Sequence, residues 1–169
     1  AQVLAAFTAH ELHKSRAVIV HDDSVFGRGY KERFESAFVK QGGEVVGVHA
    51  VNAAAVDFND ILKPIGTNKA DVVFFGGLAS QSVMLAQNMS RLRVPAILVT
   101  AASLVGPLYL QTAGPGAEGT VSAMPGAHLR KSRQMEIFES NYQQRYKVAA
   151  GPYSATAYDQ VQVLAAAIV

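Results

Sequence analysis

Residues 16–30 read RAVIVHDDSVFGRGY, which is an apolar run, an acidic turn and the start of an amphipathic stretch. The apolar run at 17–21 has the length of a strand and no polar alternation, so it predicts a strand covered on both faces of a sheet. Asp22, Asp23 and Ser24 are residue types preferred at the start of helices. Aromatic side chains then recur at helical spacing over residues 27–41. The stretch therefore predicts a strand, a loop and a helix in direct succession.

The same unit recurs along the chain. Apolar runs of strand length follow at residues 45–51, 71–75 and 96–102, and a short fifth strand is predicted at 120–123. Helix-like stretches separate the strands at 57–64, 80–92 and 103–112. Alternating strands and helices build a parallel sheet with helices on both faces. We therefore predict a three-layer α/β/α sandwich with a mainly parallel sheet, of Rossmann-like or flavodoxin-like type. In such sheets the ligand binds at the carboxyl ends of the strands.

The two ends of the chain are predicted to be helical. Helical periodicity is found at residues 1–14, 132–147 and 153–169. The composition changes after Met124, where a loop rich in Pro, Gly, Lys and Arg begins. This change predicts a boundary between an α/β part at residues 1–124 and a mainly helical segment at residues 125–169.

The composition excludes several classes of protein. Fifteen Lys and Arg against 13 Asp and Glu give a net charge of +2, which is too even for a nucleic-acid partner. The absence of cysteine excludes disulfides, thiolate zinc sites and a cysteine nucleophile. No apolar stretch reaches the roughly 18 residues of a membrane span. The final residues form an apolar helix without a cap and no leader is visible, so we expect a fragment of a longer protein.

Two motifs at the first strand–helix junction are incomplete as chemical sites. The pair Asp22-Asp23 is similar to the Mg²⁺-binding carboxylates of phosphorylation receiver domains, but glycines follow the third strand where a further carboxylate is needed. The motif Gly27-Arg28-Gly29 lacks the third glycine of a dinucleotide fingerprint. Helix capping and helix entry explain both motifs more simply.

Catalytic and metal-binding groups are also scarce elsewhere. His10 and His13 share a helix face but lack a third ligand. Ser80 and Ser103 follow strand ends without a G-x-S-x-G context or an evident base. We therefore predict no enzyme activity, no metal and no cofactor. The loops after the strands are apolar or small, which favours binding of a small molecule without reaction.

Five short stretches occur in an order and spacing that match a known family. They are HDDSVFGRG at 21–29, DF at 57–58, DVVFFGG at 71–77, AGPGAEG at 113–119 and GPYSATAYD at 151–159. The sequence thereby resembles the leucine/isoleucine/valine-binding family, which comprises the type I periplasmic binding proteins that feed ABC importers. The similarity runs from about the first strand to the end of the chain.

The resemblance implies a two-lobed clamp that closes on a small ligand, an amino acid or a related carboxylate. This chain would be mostly the second lobe, with the chain crossing between lobes near Met124-Pro125. Residues 125–169 would then pack on the first lobe, which we expect to be missing from this fragment. The implied location is periplasmic and the implied partner is an ABC permease in the membrane. Because an exposed apolar face seldom stays bare, we also expect the fragment to associate with itself.

The resemblance also implies the ligand contacts of this lobe. An aromatic contact after the first strand falls at Phe26, and a contact after the Gly-Gly of the third strand falls at Leu78. The acidic residue that pairs with the ligand's ammonium in the family falls at Ala102. Ser103 and neighbouring backbone groups would supply hydrogen bonds.

The alanine at position 102 leaves two hypotheses for the ligand. Burying an unpaired ammonium costs several kcal/mol, and Ala102 cannot pair with one. In the first hypothesis, the ligand lacks a free amino group, as an aromatic or aliphatic carboxylate does. In the rival hypothesis, Asp22 or Asp23 pairs with the ammonium.

Two other functional classes share this architecture. An enzyme on a Rossmann-like or flavodoxin-like scaffold would require a cofactor fingerprint or a catalytic constellation, and neither is found. A ligand-sensing lobe of a regulator or receptor would be distinguished by a DNA-binding or signalling segment outside this fragment.

Overall fold

The computed structural model describes residues 1–52, 54–101, 104, 107–123, 132–151 and 153–168. Two compact units are present, Ala1–Ala123 and Met124–Val169. The first contains the whole sheet, and the second contains two helices. The roles predicted for residues 1–124 and 125–169 remain predictions.

The first unit is built on five parallel strands. They are β1 (Arg16–Asp22), β2 (Glu44–Val51), β3 (Val72–Gly76), β4 (Ile97–Thr100) and β5 (Val121–Ser122). Their spatial order is β2-β1-β3-β4-β5, and every neighbouring pair is parallel. The predicted α/β class and parallel sheet are confirmed.

Helices cover both faces of the sheet. The helices of this unit are α1 (Gln2–His10), α2 (Val25–Lys40), α3 (Asn59–Leu62), α4 (Ile65–Asn68), α5 (Ala79–Arg91) and α6 (Pro107–Ala113), followed by a 3-10 turn at Gly114–Ala117. On one face, the Phe34 ring of α2 stacks on Phe74 of β3 at 3.8 Å between centroids. On the other face, Phe58 and Leu85 pack against Phe75. Consecutive residues of β3 thus serve opposite cores, which is why this strand reads as an unbroken apolar run.

Helix boundaries differ from the sequence prediction where local backbone chemistry decides them. The first helix was predicted to reach residue 14 but ends at His10, and His13 adopts a left-handed backbone (φ 53°) that a helix cannot continue through. The second helix begins at Val25 instead of residue 27, because Ser24 already caps it. The predicted helix at 103–112 is described only from Pro107 to Ala113.

The described residues of the second unit form α7 (Arg133–Tyr146) and α8 (Ser154–Ile168). Ser132 caps α7 by accepting a hydrogen bond from the Met135 N–H. The ring of Phe138 contacts that of Tyr158 at 5.6 Å, which joins the two helices. Neither helix contains a buried residue among those described. Among all described helices, none combines the length and apolar character needed to cross a bilayer.

Two glycines of α2 make a matched test of the packing between helix and sheet. A Cβ on Gly27 would overlap the Asp22 side chain and carbonyl oxygen and would lie 2.7 Å from the Gly76 oxygen. We expect Gly27→Ala to destabilise the protein by about 3 kcal/mol through overpacking. A Cβ on Gly29 would meet nothing within 4 Å, so Gly29→Ala should stabilise the protein by up to about 1 kcal/mol through helix propensity. Urea unfolding measures both, and equal effects of the two substitutions would contradict the close approach.

Candidate functional site

The strand order reverses between the carboxyl ends of β1 and β3. β1 lies between β2 and β3, so the chain leaves β1 toward one side of the sheet and later crosses back to the other. His21 of β1 is paired with Gly76 of β3, and Phe75 with Thr100 of β4. The three strands therefore end at nearly the same level. In open α/β sheets the crevice at such a reversal of strand order is where ligands bind.

A hydrogen-bonded turn joins β1 to α2. The buried Asp22 carboxylate accepts hydrogen bonds from the Ser24 N–H (3.3 Å) and the Ser24 hydroxyl. The Ser24 oxygen in turn accepts from the Gly27 N–H at 3.0 Å. Asp23 is exposed and forms an ion pair with Arg28 at 2.9 Å. Both carboxylates thus have intramolecular partners, and together they fix the first turn of α2.

Phe26 projects from this first turn, and its side chain is 44% exposed. The helix start that carries it lies directly on the strand ends, because Gly27 and Gly76 have no side chains to hold it away. The predicted contact residue is therefore on a rigidly placed turn beside the crevice, with its ring half open to solvent.

Leu78 occupies the equivalent turn after β3. It is the N-cap residue of α5, in an extended conformation (φ −81°, ψ 159°), and is 57% exposed. The preceding Gly77 is required because a Cβ there would overlap the Phe75 ring. Phe26 and Leu78 thus lie on the turns that follow two neighbouring, hydrogen-bonded strands.

Ala102 and Ser103, the other two predicted contacts, lie outside the described residues. The strand before them is described. The Ala101 N–H donates to the Phe75 carbonyl at 2.9 Å, and the buried Thr100 hydroxyl lies 2.9 Å from that of Ser82 on α5. The end of β4 is therefore held to β3 and to α5 up to the point where the predicted contacts begin.

Gln81 is a polar residue at this edge that sequence reasoning missed. Its side chain is 3% exposed, and its Nε2 donates to the Asn52 carbonyl at 3.0 Å. It therefore ties the turn after β3 to the turn after β2. Its Oε1 is buried without a hydrogen-bond partner among the described residues. The sequence signal that could have identified Gln81 is its position in the first turn of a helix that follows a strand.

Two histidines have hydrogen-bond partners within the fold. His21 is buried with its Nδ1 3.0 Å from the Asp22 carbonyl oxygen. The His10 Nε2 lies 2.7 Å from the Gln41 Oε1. Within the described ranges, no three His, Asp or Glu residues are grouped so that they could hold a metal ion.

Comparison with known proteins finds a family and several proteins that are similar to this chain. A family model described as "Periplasmic binding protein" matches residues 1–169. The chain is 21% identical over 168 residues to Leu/Ile/Val-binding protein homolog 3 of Brucella melitensis. The aligned region covers 99% of this chain and 45% of that protein. The chain therefore spans about half the length of the curated relatives it matches.

Solved structures share the fold. The leucine binding protein LivK of Thermotoga maritima matches with a TM-score of 0.87 and 20% identity, covering 99% of this chain and 48% of that one. A solute binding protein of an ABC transporter from R. palustris, solved in complex with benzoate, matches with a TM-score of 0.81 and 17% identity, covering 96% and 45%.

The Ser24 cap offers a test of how the Phe26 turn is held. We expect Ser24→Ala to destabilise the protein by about 1–2 kcal/mol, because the Gly27 N–H and the buried Asp22 carboxylate both lose a partner. Ser36→Ala, at an exposed position of the same helix, should change stability by less than about 0.5 kcal/mol. Chemical denaturation compares the two variants, and a Ser24→Ala variant as stable as the control would contradict the capping role.

Proposed function

The chain belongs to the periplasmic binding protein family, and on this basis we propose that it forms one lobe of a solute-binding protein that supplies an ABC importer outside the cytoplasm. The proposed ligand is a branched-chain amino acid or a related small carboxylate. The observation that carries the proposal is the reversal of strand order between β1 and β3, with the half-exposed Phe26 and Leu78 on the two turns that follow these strands. Apolar side chains beside a strand-end crevice suit a small ligand with an apolar body.

Binding without chemical reaction fits the side chains at this edge. Asp22 and Asp23, the carboxylates of the β1 turn, hold the start of α2 together. Gly76, Gly77 and Leu78 of the β3 turn offer no acid, base or nucleophile. The matching family and the similar protein from Thermotoga maritima are described as binding proteins.

The proposed mechanism is capture by closure of two lobes. The chain accounts for about half the length of its relatives, so one lobe would supply half of the enclosing surface. A ligand that contacts both lobes only in the closed state shifts the population toward that state by the free energy of those extra contacts. The permease would recognise the closed form.

The exposed apolar residues of α8 support a proposed contact with the other lobe. Its exposed apolar side chains include Tyr158, Val161, Val163, Leu164 and Ile168. An apolar surface of this kind is normally covered by protein. We therefore assign residues 125–169 to packing on the lobe that the remainder of the protein forms.

The engaged carboxylates favour a second candidate ligand class. A buried ammonium needs an anionic partner, and Asp22 and Asp23 already bind Ser24 and Arg28. Ala102 and Ser103 carry no charge. The similar protein from R. palustris was solved with benzoate. These observations support a carboxylate that lacks an amino group, with Phe26 and Leu78 contacting its apolar part.

Calorimetric titration of the intact protein with L-leucine and with benzoate tests both proposals. Benzoate binding without leucine binding is expected for the amine-free class, and tight leucine binding would reject that class while keeping the importer proposal. Binding of neither compound would count against the ligand class as a whole.

Substitutions test where the ligand binds. Phe26→Ala and Leu78→Ala should each weaken binding of the bound compound about tenfold, or about 1.4 kcal/mol, through loss of apolar contact. Val3→Ala, at an exposed position on α1, is the matched control and should leave affinity unchanged. Equal affinity of all three variants would place the ligand elsewhere.

The uncovered apolar side of α8 predicts self-association of the 169-residue chain produced alone. Light scattering should show a mass that increases with concentration, because pairs of chains can cover each other's α8. Leu164→Gln should shift the chain toward monomer, whereas Gln160→Ala on the same exposed helix should not. A monomer at high concentration would contradict the prediction that the exposed apolar residues of α8 cause self-association.

A further inference from the structure

We propose that Tyr30 is a positioning residue that holds the Phe26 ring in place over the carboxyl ends of β1 and β3. This inference rests on the proposed ligand-binding function, which assigns Phe26 to the ligand. It adds a residue to the site that makes no assigned ligand contact itself. The carrying observation is the contact between the two rings.

The Phe26 and Tyr30 rings form a pair on one face of α2. The residues are four positions apart, so their side chains lie above one another on the helix. Their ring centroids are 4.5 Å apart and the ring planes are inclined by 42°. This distance and tilt lie within the range of favourable aromatic pairs.

Tyr30 is itself anchored to the sheet. A Cβ on Gly76 would lie 3.4 Å from the Tyr30 Cβ and 3.6 Å from the His21 Cβ, so the Tyr30 backbone is in close approach to the end of β3. The Tyr30 side chain is half-buried and packs against the core that α1 and α2 cover. The tyrosine therefore has a fixed position relative to the two strand ends.

Phe26 lacks such an anchor of its own. Its side chain is substantially exposed, and its ring contact among the described residues is with Tyr30. A half-exposed phenylalanine next to a smaller side chain would sample other rotamers. Tyr30 thus restricts the Phe26 ring before ligand arrives, and a preordered contact loses less entropy on binding.

The test is a double-mutant cycle in the intact protein with Phe26→Leu, Tyr30→Leu and the double variant. Affinity for benzoate and for L-leucine is measured by calorimetry, and stability by urea unfolding. Tyr30→Leu should weaken binding of whichever compound the wild type binds by about three- to tenfold, the range of one aromatic pair. Tyr30→Phe keeps the ring and should bind within about twofold of wild type.

The background dependence separates positioning from general support of the fold. In the Phe26→Leu background, Tyr30→Leu should cost no further affinity, because the ring that it positions is gone. An equal loss in both backgrounds would overturn the proposal, as would a Tyr30→Leu variant with wild-type affinity. If the intact protein binds neither compound, the proposed ligand class fails. The free energies of unfolding of the single and double variants then test whether the two rings interact. Additive effects of the two substitutions on stability would reject the interaction.

Discussion

The close approach of α2 to the ends of β1 and β3 determines the geometry of the candidate site. Gly27 lies against the Asp22 backbone and the Gly76 oxygen at a distance that no side chain would allow. The helix can therefore begin directly above the strand ends, and the residues of its first turn reach over the crevice. With a larger residue at either position, α2 would begin farther from the sheet. The Phe26 turn would then no longer border the crevice.

The polar groups near this contact satisfy one another. Taking a carboxylate out of water is costly unless it accepts hydrogen bonds, and the buried Asp22 accepts them from Ser24. The same serine satisfies a backbone donor of α2. Gln81 and the Ser82–Thr100 pair have a comparable role under the turns after β2, β3 and β4. The edge of the sheet is thus fixed by internal hydrogen bonds, while the two predicted contact residues there, Phe26 and Leu78, are apolar and open to solvent.

The sequence predicts the sheet better than it predicts the site. Strands β1 and β3 could be read from residues 17–21 and 71–75 because a strand buried on both faces has a nearly continuous run of apolar side chains. The sequence prediction placed the start of α2 two residues too late, at residue 27. Ser24 was identified as a helix-entry residue, but the sequence does not show that its side-chain oxygen accepts the hydrogen bond from the Gly27 N–H. The early end of α1 depends on the left-handed backbone at His13, which histidine adopts only occasionally. Gln81 was missed because its partner is a carbonyl 29 residues away, at Asn52, and its position in the first helical turn after a strand does not reveal that partner.

The chemistry of the described edge indicates how recognition would be divided in the proposed clamp. An apolar surface contributes affinity in proportion to the area it removes from water, and it does so only when the opposite side of the ligand is covered as well. Phe26 and Leu78 are more than two-fifths exposed, so most of this gain would appear only on closure. A ligand carboxylate needs hydrogen-bond donors or cations, and Arg28 in the first turn of α2, a cation among the described residues of this edge, is already paired with Asp23. In the proposed protein, charge recognition would therefore fall mainly to the other lobe, and this lobe would select the shape and polarity of the ligand's body.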